Sequence, residues 1–170
     1  GYITLGIGFA SKAGLTGGVV HLFNHAVTKG ALFMLAGAVA LRLGSVRLDR
    51  MDGLAKAMPL TCAGIVLGGL SLIGVPGTAG FVTKWYLVLA ALEAGSWTLA
   101  FVPVASSLLA VAYVWRFVEV AYFRPPSAEV ARLSEAPPGL LLPAGALLVA
   151  VVYFGIDPSL TVGAAARAAD

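Results

Sequence analysis

Long apolar stretches, separated by short polar or Gly/Pro-rich punctuation, dominate this sequence. Where they begin and end predicts helices over about 18–41, 58–74, 79–94, 97–122 and 139–156, preceded by the tail of another over about 1–10. Several approach the roughly 20 residues that carry a helix across a hydrocarbon core of about 30 Å. None alternates polar and apolar residues as a membrane strand does, and strands span lipid only as closed barrels. The pattern therefore predicts an all-α fold, a polytopic transmembrane helical bundle.

The punctuation is informative. The 42–57 loop carries Arg42, Arg47, Arg50 and Lys56 with Asp49 and Asp52, and Met58-Pro59 then opens the next helix with proline in its tolerated first turn. The loop over 123–139 holds two Pro-Pro pairs, which stop one helix and set off the next. Trp97 and Tyr122, at the two ends of one run, suit interfacial aromatic belts. If every run crosses once, the 42–57 loop and the C-terminal tail share one side with five basic residues, against Lys12, Arg124 and Arg132 on the other. Such a ratio does not set orientation.

Composition sharpens the solvent. The 170 residues are 59% hydrophobic and 11% charged, with a mean hydropathy of +0.94, whereas soluble domains carry about 25% charged residues. A net charge of +3 without any basic run gives nucleic-acid binding no support. The single Cys62 has no partner for a disulfide or a zinc site and reads as packing. The chain opens on Gly1 in an apolar run with no signal-peptide pattern, so the expectation is a C-terminal piece of a longer protein.

Against this background the ionisable residues stand out. His21, His25 and Lys29 recur at i, i+4 and i+8, on one slowly drifting helix face, and climb about 6 Å per step. The structural alternative has His21 capping a helix end, His25 bonding a neighbouring carbonyl and Lys29 reaching the interface. Lys29 resists it, because mid-membrane lysine costs about 2.5–3.5 kcal/mol on insertion scales and must face protein or water. Haem ligation does not suit the two histidines, which share a face, and they are the only ones in the chain.

A second constellation is Gly74-Val-Pro-Gly-Thr-Ala-Gly-Phe-Val-Thr-Lys84. Gly74, Pro76, Gly77 and Gly80 predict a broken helix with Lys84 one turn beyond it, and such breaks sit at ion sites in transporters. An interfacial hairpin with Lys84 anchored beside Trp85 and Tyr86 is the alternative. Arg116 and Glu119, three apart near a helix end, suit an anchoring pair; Lys12, Glu93 and Asp157 read as interfacial. A basic group moved out of water holds its proton less tightly, so buried Lys and His can both take up and release one.

Together, His21-x3-His25-x3-Lys29-Gly-Ala-Leu-Phe and Gly74-x-Pro-Gly-Thr-x-Gly-Phe-x-x-Lys84 resemble the antiporter-like membrane subunits shared by respiratory complex I (NADH:quinone oxidoreductase) and the Mrp-type multisubunit Na+/H+ antiporters. The resemblance runs over essentially the whole chain. The stretches 84–93 and 106–123 look most like the D-type subunit of the Mrp antiporters, while hydrogenase-type relatives share the first two motifs. The resemblance implies that 1–170 is the C-terminal part of one antiporter-like domain. In it Lys29 would be a central proton carrier, Lys84 the terminal lysine in the broken helix, and His21 and His25 the linking relay. It also implies a glutamate and a lysine on helices before this sequence. The expected protein is a membrane subunit without redox centre, cofactor or metal, in a prokaryotic plasma membrane. Its partners would be other membrane subunits and lipid, and it would move protons, alone or coupled to Na+, through a buried His/Lys relay. A purely structural subunit is the competing class. A transporter for an organic solute is disfavoured, because no wide set of hydrogen-bonding side chains accompanies the break.

Overall fold

The computed structural model describes residues 1–169, and every regular element among them is helical. Helix α1 spans Tyr2–Gly8 and α2 spans Lys12–Leu43. The second starts earlier than the hydropathy suggests. Its first turns, Lys-Ala-Gly-Leu-Thr-Gly, read as a polar loop, yet Ser11 accepts from the Gly14 N–H at 3.1 Å and caps them. The glycines serve packing: Gly6 of α1 lies against Gly14 and Gly18, so the two backbones approach as small residues allow in membranes.

Helices α3 (Leu54–Ala57), α4 (Pro59–Ile73) and α5 (Ala79–Glu93) follow. Contacts along α2 fix the direction of travel. Gly64 faces Leu35, Gly68 faces Leu32 and Ser71 meets Thr28 at 3.2 Å; then Ala79 and Thr83 meet Asn24, Val82 packs on Val20, and Leu87 reaches Gly17. Both helices thus run antiparallel to α2, one continuing the other, and together make one passage interrupted at 74–78. This corrects the expectation that each apolar run crosses once, since fifteen residues cover only about 22 Å.

Helix α6 (Trp97–Val118) returns, passing Lys84 at Ser107 and Gly69 at Val114, and ends in a π turn over Glu119–Phe123. Helix α7 (Pro138–Ile156) runs beside α4, with Leu148 at Gly64 and Gly155 against the Thr78 backbone. A further helix, α8 (Ser159–Ala168), was not anticipated because its Ala/Gly-rich run is short and weakly apolar; its Val162 and Ala165 pack near Val20, Val82 and Tyr86. Helices Lys12–Leu43, Trp97–Phe123 and Pro138–Ile156 are each long and apolar enough to cross a membrane.

Both polar loops consequently lie at one end of the bundle. Arg124 pairs with Asp52 at 3.1 Å, Arg50 with Glu129 at 2.6 Å, and the Gly53 N–H donates to the Val120 carbonyl at 3.0 Å. Met51, Leu54, Met58, Cys62, Val120 and Val130 form an apolar core beneath them, with Cys62 fully buried. Arg116 and Glu119 also pair, at 2.6 Å.

Glu135 ties this end together. Its carboxylate accepts from the Leu60 N–H at 2.7 Å, from the Thr61 hydroxyl at 2.6 Å and from the Ala136 N–H at 2.8 Å, while its carbonyl accepts from Arg42 at 2.8 and 3.1 Å. It caps α4, whose own flanking residue supplies no side-chain cap. Burial disfavours the charge, but the Thr61, Ala136 and Leu60 hydrogen bonds outweigh it and hold the carboxyl below its ordinary value. A depressed folded pKa contributes stability above the unfolded value of about 4.3 and loses it as pH falls through the folded value. Glu135→Gln is therefore expected to cost about 1 kcal/mol at pH 7, read as a lower thermal midpoint in detergent. The gap should narrow as pH falls through the folded value; a gap undiminished in acid would remove the charge from the account.

Candidate functional site

The α2 ladder forms as its spacing predicts. The His21 and His25 rings lie 5.1 Å apart, and the Tyr2 ring meets His21 edge-on at 5.1 Å. Because α2 begins at Lys12, His21 stands inside the helix and caps nothing, while Lys29 falls near its middle.

At the break, α4 ends on Gly74 with φ of +88°, and Gly77 takes φ of +86°, both left-handed conformations that favour glycine. A Cβ on Gly74 would lie 2.8 Å from the Lys84 Cδ. Absence of that atom lets Lys84 fold back onto α4 instead of pointing outward with exposed Trp85. Its Nζ donates to the Leu72 carbonyl at 2.8 Å, the Ile73 carbonyl at 2.7 Å and the Ser107 Oγ at 2.6 Å. The last carbonyls of a helix lack intrahelical partners and carry the negative end of its dipole, so a cation suits this position.

One open cavity of about 480 Å³ brings the four basic residues together: His21, His25 and Lys29 from α2 and Lys84 from α5. Tyr2 lines it from α1, and Ser106 and Tyr113 from α6. Among the described residues no carboxylate lines it. Lys29 also borders a second, mostly apolar cavity of about 290 Å³ that reaches Val46, Leu48 and Met51 near the polar end. The basic groups are less enclosed than expected. Within this chain His21, Lys29 and Lys84 are half-buried and His25 is exposed, because the cavity is open on one side.

Polar residues that hydropathy passed over stitch the break to α2. Asn24, only 2% exposed, donates to the Ala79 carbonyl at 2.8 Å and to Thr83 Oγ1 at 3.2 Å. Its spacing of three residues from His21 was the available signal. The Gly80 N–H donates to Ser71 Oγ at 3.2 Å. On α6, the Ser106 and Ser107 hydroxyls both bond the Pro103 carbonyl, and Tyr2 bonds Ser106.

A broken helix bearing a lysine thus packs beside a helix bearing a His/His/Lys ladder. Residues 1–110 match the family described as NADH:quinone oxidoreductase/Mrp antiporter, TM, and the chain belongs to that family. NADH-quinone oxidoreductase subunit N of Desulforudis audaxviator is 41% identical over 169 residues, a match that covers 92% of this chain and 34% of the relative. The D-type subunit of the Na(+)/H(+) antiporter of Bacillus subtilis is 30% identical over 156 residues, covering 92% and 32%. The Mrp complex from Dietzia sp. DQ12-45-1b superposes with a TM-score of 0.90 at 27% identity, covering 99% of this chain and 39% of that one. Respiratory complex I from Thermus thermophilus with bound NADH gives 0.80 at 26% identity, covering 99% and 36%. Identity does not favour the narrower likeness to the D-type antiporter subunit, being higher with this subunit N, whereas structural overlap is higher with the Mrp complex. The chain spans about a third of the length of these curated relatives.

Proposed function

We propose that this chain is part of a proton-translocating membrane subunit of a multisubunit complex, in which Lys29, His25, His21 and Lys84 pass protons along the shared cavity. The gathering of all four at one cavity, with Lys84 held in the helix break, carries the reading. Electrostatics makes such a row work as a relay. Two unit charges at the 5.1 Å separation of the histidine rings repel by about 3 kcal/mol at an effective dielectric of 20, so a proton arriving on one group expels its neighbour's. Na+ coupling in the Mrp manner is compatible with this reading, and no redox cofactor is assigned to the chain. Its partners would be further membrane subunits, in a prokaryotic plasma membrane. Six basic residues, Arg42, Arg47, Arg50, Lys56, Arg124 and Arg132, sit at the polar end against Lys12 and Arg167 at the other. That bias supports a cytoplasmic polar end.

Lys29→Ala in the full-length protein tests the relay against a structural role. Proton flux into vesicles, normalised to the amount of assembled complex, is expected to fall by about 100-fold. Unchanged flux per complex, with only assembly reduced, would favour a purely structural subunit.

A further inference from the structure

The nitrogen of Lys84 has three hydrogens as an ammonium and meets three oxygens: the Leu72 and Ile73 carbonyls at the end of α4 and the Ser107 hydroxyl of α6. Ser107 accepts there while its own hydroxyl is engaged. Its single hydrogen goes to the Pro103 carbonyl at 2.9 Å, one turn back on α6. Serines in membrane helices often make that backward bond, so by itself it assigns Ser107 nothing. The distinguishing observation is the 2.6 Å contact from another helix, which completes the lysine's shell. A neutral amine has two hydrogens and a lone pair, and would press that lone pair against one of the three oxygens unless Ser107 gave up its bond to Pro103.

We infer that Ser107 is a positioning residue for the proposed proton path: with the Leu72 and Ile73 carbonyls it forms a three-acceptor cradle that selects the ammonium form of Lys84 and sets the pH range of proton release. The inference rests on the function proposed above. The groups facing Lys84 are Tyr2 from α1, His21, His25 and Lys29 from α2, and Tyr113 from α6; α4 offers it only carbonyls. The Tyr2 ring centroid lies 5.9 Å from the Lys84 nitrogen and 5.1 Å from the His21 ring.

The test compares Ser107→Ala and Ser107→Thr in the full-length protein within its complex, with proton transport measured in vesicles across a pH series. Losing an acceptor to a charged donor should move the pH of half-maximal transport about one unit toward acid, and threonine, which keeps the hydroxyl, should restore it. Should Ser107→Ala fail to assemble, Ser107→Cys replaces the oxygen with a weak acceptor and should move the profile the same way. An unmoved profile in whichever variant assembles overturns the inference. Normal transport by Lys84→Met would instead overturn the proposed function, so the two failures are distinguishable.

Discussion

Proton transport by the full-length protein carrying Lys84→Met is expected to fall by about 100-fold or more, while the complex still assembles. Methionine keeps the length and apolar stem of lysine, so the passage beside Gly74 stays filled. Among the described residues it removes the only side chain that bonds the Leu72 and Ile73 carbonyls. Two unpaired carbonyls would each cost about 1–3 kcal/mol in a dry site, but this one borders an open cavity that can admit water. Stability should therefore suffer less than transport. The readout is proton uptake into vesicles, normalised to complex content; normal uptake would sink the role given to Lys84.

The second large effect is expected from Gly80→Ala. A methyl at Gly80 would collide with the Ser71 carbonyl, a backbone atom that cannot swing aside. That contact closes the seam between the halves of the broken passage, where the Gly80 N–H also bonds Ser71 Oγ. Relief requires α5 to shift relative to α4, which would break the Asn24 bonds to Ala79 and Thr83 and pull Lys84 out of its cradle. Overpacking of this kind costs about 3 kcal/mol, toward the upper end of its usual range. A lower steady-state level of the complex and a lower melting point in detergent are expected. Wild-type values for both would mean that the halves meet differently.

The four basic residues were legible because lipid makes each of them costly, and residues four apart on a helix cannot avoid sharing a face. The Gly/Pro break was legible for the same reason, since loosened backbone at that depth needs a protein or water partner. Direction was not legible. Hydropathy measures how long an apolar run is, and α4 and α5, each fifteen residues, look like two short crossings when they form one long one. That error moved Arg124 and Arg132 to the wrong end and diluted the charge bias. Ser107, Tyr2 and Glu135 were missed because an isolated serine, tyrosine or loop glutamate carries no periodic signal. Each acquires meaning only from what the fold sets opposite it.

Helix α4 is held at both ends by charges from elsewhere in the chain, Glu135 at its start and Lys84 at its finish. Its peptide dipoles leave roughly half an elementary charge at each terminus. The first terminus sits among loops, where solvent and counterions can screen it; the other ends at the break, where only water in the open cavity can. In the proposed relay, a Lys84 that gave up its proton would leave that inner terminus without its cation, as a partial anion. The backbone itself would then act as an electrostatic spring, stretched by each release and relaxed when the next proton arrived.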